Sequence, residues 1–206
     1  MKLTLNYEKL PILGVAFSHS KDVPGYAIAV VRGGIGDDAF PIHALLITAD
    51  RGQKFATEET LAGLVENSLE EYTTDLNRLV GVFYWHGWDD AAKKESAQDD
   101  LAYIRRKHAE NSQYDFGGLF VFVKEKLPSW LQWMIPAKAD KTKQWCSENC
   151  LAILDKYGFA SGWTKDRGPA PDELMEIMMK RDDVELVLNY YLYPEQKALG
   201  TDNSRA

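Results

Sequence analysis

Apolar runs of strand length occupy the first half of this chain, and apolar residues at helical spacing mark the second. Tyr26-Ala27-Ile28-Ala29-Val30-Val31 is compact and is closed by Arg32-Gly33-Gly34-Ile35-Gly36-Asp37-Asp38, a strand followed by a turn signal. Ile42-His43-Ala44-Leu45-Leu46-Ile47-Thr48 predicts a second strand, which Ala49-Asp50-Arg51-Gly52 turns into Lys54-Phe55-Ala56-Thr57 as a hairpin. Leu79-Val80-Gly81-Val82-Phe83-Tyr84-Trp85 predicts a further strand. Ala97, Leu101, Ile104 and His108 then fall on one face of a helix over about 90–110. The mixed stretch 114–123 carries two glycines that weaken a helix there. Cys146, Cys150, Leu154 and Tyr157 repeat the helical spacing, with Gly158 as the stop. Pro169-Ala170-Pro171-Asp172 precedes Leu174, Ile177 and Met178, a short amphipathic helix. Strands followed by helices predict an α+β fold, with 1–194 as a single domain and 195–206 as a polar, frayed tail.

At 206 residues the chain is long enough for one well-buried domain, and 45% apolar with 27% charged residues is ordinary for a soluble globular protein. The net charge of −7, from 24 basic and 31 acidic residues, argues against a nucleic-acid binder that relies on a broad positive surface. Lys124, Lys126, Lys138, Lys141 and Lys143 cluster locally, and a solvated loop face accounts for them more simply than a phosphate site. The first residues lack the apolar stretch of a secretory leader, and no run approaches the roughly twenty apolar residues of a membrane span. The expectation is a protein that is cytoplasmic as synthesised. Two cysteines four apart cannot staple a fold, so nothing calls for an oxidising compartment.

Those two cysteines open a predicted helix, where unpaired backbone N–H groups and the helix dipole favour the thiolate form of a cysteine. Cys146 therefore reads as a nucleophile, against the alternative of a small buried hydrophobe. Cys150, one turn deeper, reads as core. A Cys146–Cys150 metal pair lacks the further ligands of a tetrahedral set, so no metal or other cofactor is expected. A cysteine nucleophile needs a base, and His43 is the best placed of four histidines: its strand is apolar on both faces, and a buried imidazole requires partners. The competing explanation is a satisfied core histidine. His86, ending a strand among aromatics, is the rival base; His108 continues an apolar helical face and His19 reads as loop. A third group must orient the imidazole, and Glu58 or Glu59 would lie beside His43 if the hairpin pairs. Alternation lets only one of them face inward, and both could equally open a helix around 59–66. The aromatic segment Leu127-Pro128-Ser129-Trp130-Leu131-Gln132-Trp133-Met134-Ile135-Pro136 reads as a short helix packed on the core, or as a wall of a cleft or a protein-docking surface.

Taken together these residues resemble the circularly permuted NlpC/P60 proteins, a branch of the papain-like superfamily. Trp145-Cys146-Ser147-Glu148 is similar to the family's aromatic-Cys-Ser-Glu helix start, Tyr114-Asp115-Phe116-Gly117-Gly118 to its Tyr-Asp-x-x-Gly element, and Ile42-His43-Ala44-Leu45-Leu46-Ile47 to its His strand. The likeness runs from about Pro24 to Gly158 with order preserved; the family continues its Cys-Ser-Glu with apolar residues where Asn149 stands here. The resemblance implies a papain-like α+β fold in which a helix carrying the Cys packs on an antiparallel sheet carrying the His. It also makes Glu148 and Asp115 structural, and it places relatives in bacteria and phages.

The resulting expectation is a cysteine hydrolase (a peptidase or amidase) acting on an amide or ester through a thioester. Cys146 is the nucleophile, His43 the base, and Glu58 or Glu59 the orienting carboxylate; the substrate is a peptide, as of peptidoglycan, or an acyl compound. An acyltransferase on the same scaffold is one alternative. A non-catalytic structural or adaptor protein, for instance in a phage particle and with 127–136 as its interface, is another.

Overall fold

The computed structural model of the chain describes residues 7–20, 43–60, 63–72, 77–108, 121, 124–125, 128–133, 145–165 and 167–189. The strand expected at 26–31, most of the glycine-containing stretch 114–123, four of the five clustered lysines and the tail 195–206 lie outside them.

Among the described residues six strands form one antiparallel sheet: β1 (Val15–Ser20), β2 (His43–Asp50), β3 (Gln53–Thr60), β4 (Gly63–Ser68), β5 (Asn77–Trp85) and β6 (Val184–Asn189), in the spatial order β4-β3-β2-β1-β5-β6. Among the described residues, helices with both ends placed are α1 (Ala91–His108), the single turn α2 (Ser129–Gln132), α3 (Cys146–Lys156) and α4 (Pro171–Met179). The class is α+β. The expected hairpin is β2–β3, closed between Asp50 and Gln53 by Arg51 and Gly52 at φ 48° and 83°. Two positive φ values in a two-residue turn match the right-handed strand twist.

Three strands carry weak sequence signals. β1 holds His19, which the sequence places in a loop. β4 and the end of β3 replace the alternative helix around 59–66: the chain stays extended to Thr60 and returns from Gly63, whose φ is 97°. β6 pairs with β5 after these helices, returning the chain to the sheet.

The helix ends follow local chemistry. Asp90 Oδ1 accepts from the N–H groups of Ala92 (3.0 Å) and Lys93 (3.2 Å), capping α1. At the end of α3, Gly158 N–H bonds Asp155 O and Phe159 N–H bonds Leu154 O, each at 3.1 Å, with Gly158 at φ 99°. That is a Schellman stop. At α4, Pro171 fills the first position and Glu173 reaches back to the Ala170 N–H at 2.8 Å.

Alternation sorts the sheet into two apolar faces. Val15, Phe17, Ala44, Leu46, Leu64 and Phe83 pack with Trp85, Trp88, Ala97, Leu101, Cys150, Leu151 and Leu154, so α1 and α3 cover that side. Ala16, Leu45, Ile47, Ala56, Leu79 and Val82 pack with Leu69 and Tyr72 from a 3-10 turn at Leu69–Tyr72. Burying an apolar side chain of Leu size contributes roughly 1.5–3 kcal/mol, so both faces hold the sheet. Trp130 in α2 and Trp133 at its C-terminal cap are 69% and 79% exposed, which corrects, for the described residues 128–133, the reading of 127–136 as a short helix packed on the core. No helix among the described residues is long and apolar enough to cross a membrane.

Candidate active site

His43 opens β2, and Glu58 lies near the end of the neighbouring β3. The register Leu46↔Thr57 and Ile47↔Ala56 puts Leu45 opposite Glu58, so His43 and Glu58 share a face as diagonal neighbours. His43 Nε2 bonds Glu58 Oε2, with the two side chains 15% and 7% exposed. The alternative left open by the sequence is thereby resolved geometrically: Glu58 meets the imidazole. Glu59, fully buried, belongs to the other face with Thr57 and Leu64.

Cys146 is the first residue of α3, and its side chain hydrogen-bonds His43. With Nε2 engaged by the carboxylate, this leaves Nδ1 to the sulfur. Trp145, at the helix N-cap, supplies no side-chain bond to the first turn. The turn is seated instead by Ser147 Oγ, which donates to Pro169 O at 2.5 Å, and by the close approach of Gly168. A Cβ on Gly168 would come within 2.4 Å of Glu148 Cβ and 2.5 Å of Trp145 Nε1.

The electrostatics couple the three side chains. Burial opposes charge on His43, but the sulfur of Cys146 and the carboxylate of Glu58 outweigh it and hold the imidazole well above its ordinary 6.5, toward imidazolium. Burial likewise works against ionisation of Glu58. The His43 charge and the hydrogen bonds from His43, Tyr72 and Asn67 prevail, and its carboxyl is held down at about 2. Glu59, one residue on, is pushed by burial up to about 7. Cys150 is buried in the core, and burial, reinforced by the nearby Cys146 and Glu58, raises its thiol well above the usual range. It is a poor candidate for a thiolate at neutral pH.

His86, the rival base, bonds Asp89 rather than this cluster. His86 sits in a 3-10 turn, half exposed, with Nδ1 3.2 Å from Asp89 Oδ2. His19 lies in β1 and His108 closes α1. Two residues that the sequence did not single out complete the site: Asn67 Nδ2 donates to Glu58 Oε1 at 2.5 Å, and the Tyr72 hydroxyl donates to the same oxygen. Neither has a local sequence signal; both are found only once β3 and β4 are paired. Among the described residues no group of three or more His, Cys, Asp or Glu is placed to hold a metal ion. No family model matches the chain, and no curated protein matches it.

Proposed function

We propose that the chain is a cysteine hydrolase of papain-like type, related to the permuted NlpC/P60 proteins that its motifs resemble. Cys146 is the nucleophile, His43 the acid–base group and Glu58 the orienting carboxylate. The observation that carries this reading is the unbroken chain Cys146–His43–Glu58, which joins a helix start to two paired strands. Nucleophile, base and orienting group in hydrogen-bond series is the arrangement that acyl transfer to a thiol requires.

In this reading the Cys146 thiolate attacks an acyl carbon, and the carbonyl electron pair moves onto oxygen. The backbone N–H of Cys146 and the positive end of α3 meet that oxyanion. The intermediate collapses to a thioester as the carbon–leaving-group bond breaks, and the imidazolium of His43 protonates the departing amine or alkoxide. Water then attacks the thioester while His43 takes its proton, the acid leaves and the thiolate returns. Glu58 keeps Nδ1 aimed at sulfur throughout and offsets the imidazolium charge. The substrate is an amide or ester of a peptide or acyl compound.

The burial of Cys146, only 2% exposed, favours a second reading: a scaffold of the same fold that binds without turnover. Alkylation by iodoacetamide below neutral pH separates the two. The hydrolase reading expects Cys146 to react at least ~10-fold faster than Cys150, and His43→Ala to abolish the difference. Equal, slow reaction of both thiols, or indifference to His43→Ala, overturns it and leaves the scaffold.

A further inference from the structure

We propose that Tyr72 and Asn67 are positioning residues for the proposed catalytic pair: they lock the Glu58 carboxylate in the one orientation that presents its second oxygen to His43. The inference rests on the hydrolase reading and extends it from three residues to five.

Both donors converge on Glu58 Oε1, leaving Oε2 to the His43 Nε2–H. They arrive from different elements. Asn67 is in β4, where the register Ala56↔Asn67 sets it diagonally across from Glu58 on the same face. Tyr72 ends the 3-10 turn after β4, and its ring is buried, 3% exposed, in the cluster with Leu45, Ile47, Ala56 and Leu79. The ring is thus held by the core and the hydroxyl is delivered at its tip. Burial, then the adjacent Glu58 charge, drives the Tyr72 phenol far above its ordinary range, so it remains an O–H donor at every working pH.

A carboxylate with one oxygen pinned by two donors cannot rotate without breaking both bonds, and bonds to a charged acceptor are about twice as strong as neutral ones. The order of control runs from β4 and its turn to Glu58, from Glu58 to the His43 ring, and from the ring to the Cys146 sulfur. Simple satisfaction of a buried carboxylate would need these donors too. It would not require that their loss be felt at His43, and that difference is what can be measured.

The test is the ring-proton NMR titration of His43 in the full chain, assigned by a His43→Gln spectrum, together with iodoacetamide alkylation of Cys146. Cys146→Ala reports the Cys146–His43 pairing itself; Tyr72→Phe and Asn67→Ala report the clamp. The proposal expects the His43 midpoint to fall in all three, by about one pH unit in either clamp variant, with slower alkylation of Cys146 in both clamp variants. A midpoint that falls in Cys146→Ala but stays put in Tyr72→Phe and Asn67→Ala overturns the clamp and leaves the hydrolase reading intact. A midpoint indifferent to Cys146→Ala, with slow alkylation of the native chain, removes the hydrolase reading and the clamp with it. Should Tyr72→Phe fail to fold, the half-buried Asn67 carries the test alone, and an unmoved midpoint in Asn67→Ala is decisive against it.

Discussion

At position 58, glutamine would keep the size and planar end of glutamate while removing its charge. The ionised Glu58 and the imidazolium of His43 stabilise each other, and the pH signs differ. Glu58 is lowered from 4.5 to about 2, so its contribution is fully present above 4.5 and is lost as pH falls toward 2. His43 is raised above 6.5, so its contribution is full below 6.5 and is lost as pH rises through its folded value. Both act fully between those limits. Glu58→Gln is expected to remove the share of the acid-labile stability that Glu58 carries and to bring the loss of imidazolium down toward 6.5, read as urea midpoints across pH. An unchanged pH profile in the variant would show that the carboxylate carries no charge in the fold. Sequence alone reaches Cys146 and His43, because helix start and apolar strand are local signals. Choosing Glu58 over Glu59 needs the β2–β3 register, which a one-residue slip would reverse. Tyr72 and Asn67 are polar residues on a weakly patterned stretch, and nothing local marks them.

Elements, in turn, are legible where their apolar period is strong and obscure where their polar positions do the site's work. β2, β5 and the helices α1, α3 and α4 follow from spacing and stop signals. β4 reads Gly63-Leu64-Val65-Glu66-Asn67-Ser68, with only two large apolar residues, since it lies at the sheet edge and gives Asn67 to Glu58. Glu58 and Glu59, at the end of β3 just before it, imitate a helix start. The seating of α3 is a second case, since the segment before α4 has no period at all yet touches the first turn through Gly168 and Pro169. Gly168→Ala would drive a methyl group into Glu148 and Trp145, and overpacking of this kind costs about 1–3 kcal/mol. The expected result is a lower denaturation midpoint together with slower alkylation of Cys146, because the displaced element is the one that carries the sulfur. Loss of stability with undiminished reactivity would mean that the strain relaxes into the 167–170 segment and leaves the helix start in place.

For the molecule as a whole, one strand sets two buried carboxylates back to back with opposite charge preferences. Glu58 is surrounded by donors and stays ionised; Glu59 lies within the sheet's other face, and burial raises it from 4.5 to about 7. Glu173, bonded by the buried Arg167, by Lys165 and by the Ala170 N–H, is held at about 2 and adds to the acid-labile side. Stability is therefore lost toward acid through Glu58 and Glu173, and toward alkali through His43 and Glu59. For Glu59 the folded chain keeps a proton between 4.5 and about 7 that the unfolded chain has released. Over that interval stability falls as pH rises, by about 1.4 kcal/mol per unit and on the order of 3 kcal/mol in all. Glu59→Gln imitates the protonated form at every pH. It is expected to match the native chain below 4.5, to flatten the decline between 4.5 and 7, and to be the more stable protein above it. Urea unfolding at matched pH values measures this directly. If the variant gains nothing above pH 7, Glu59 is ionised in the fold at no cost, and the alkaline limb belongs to His43 alone.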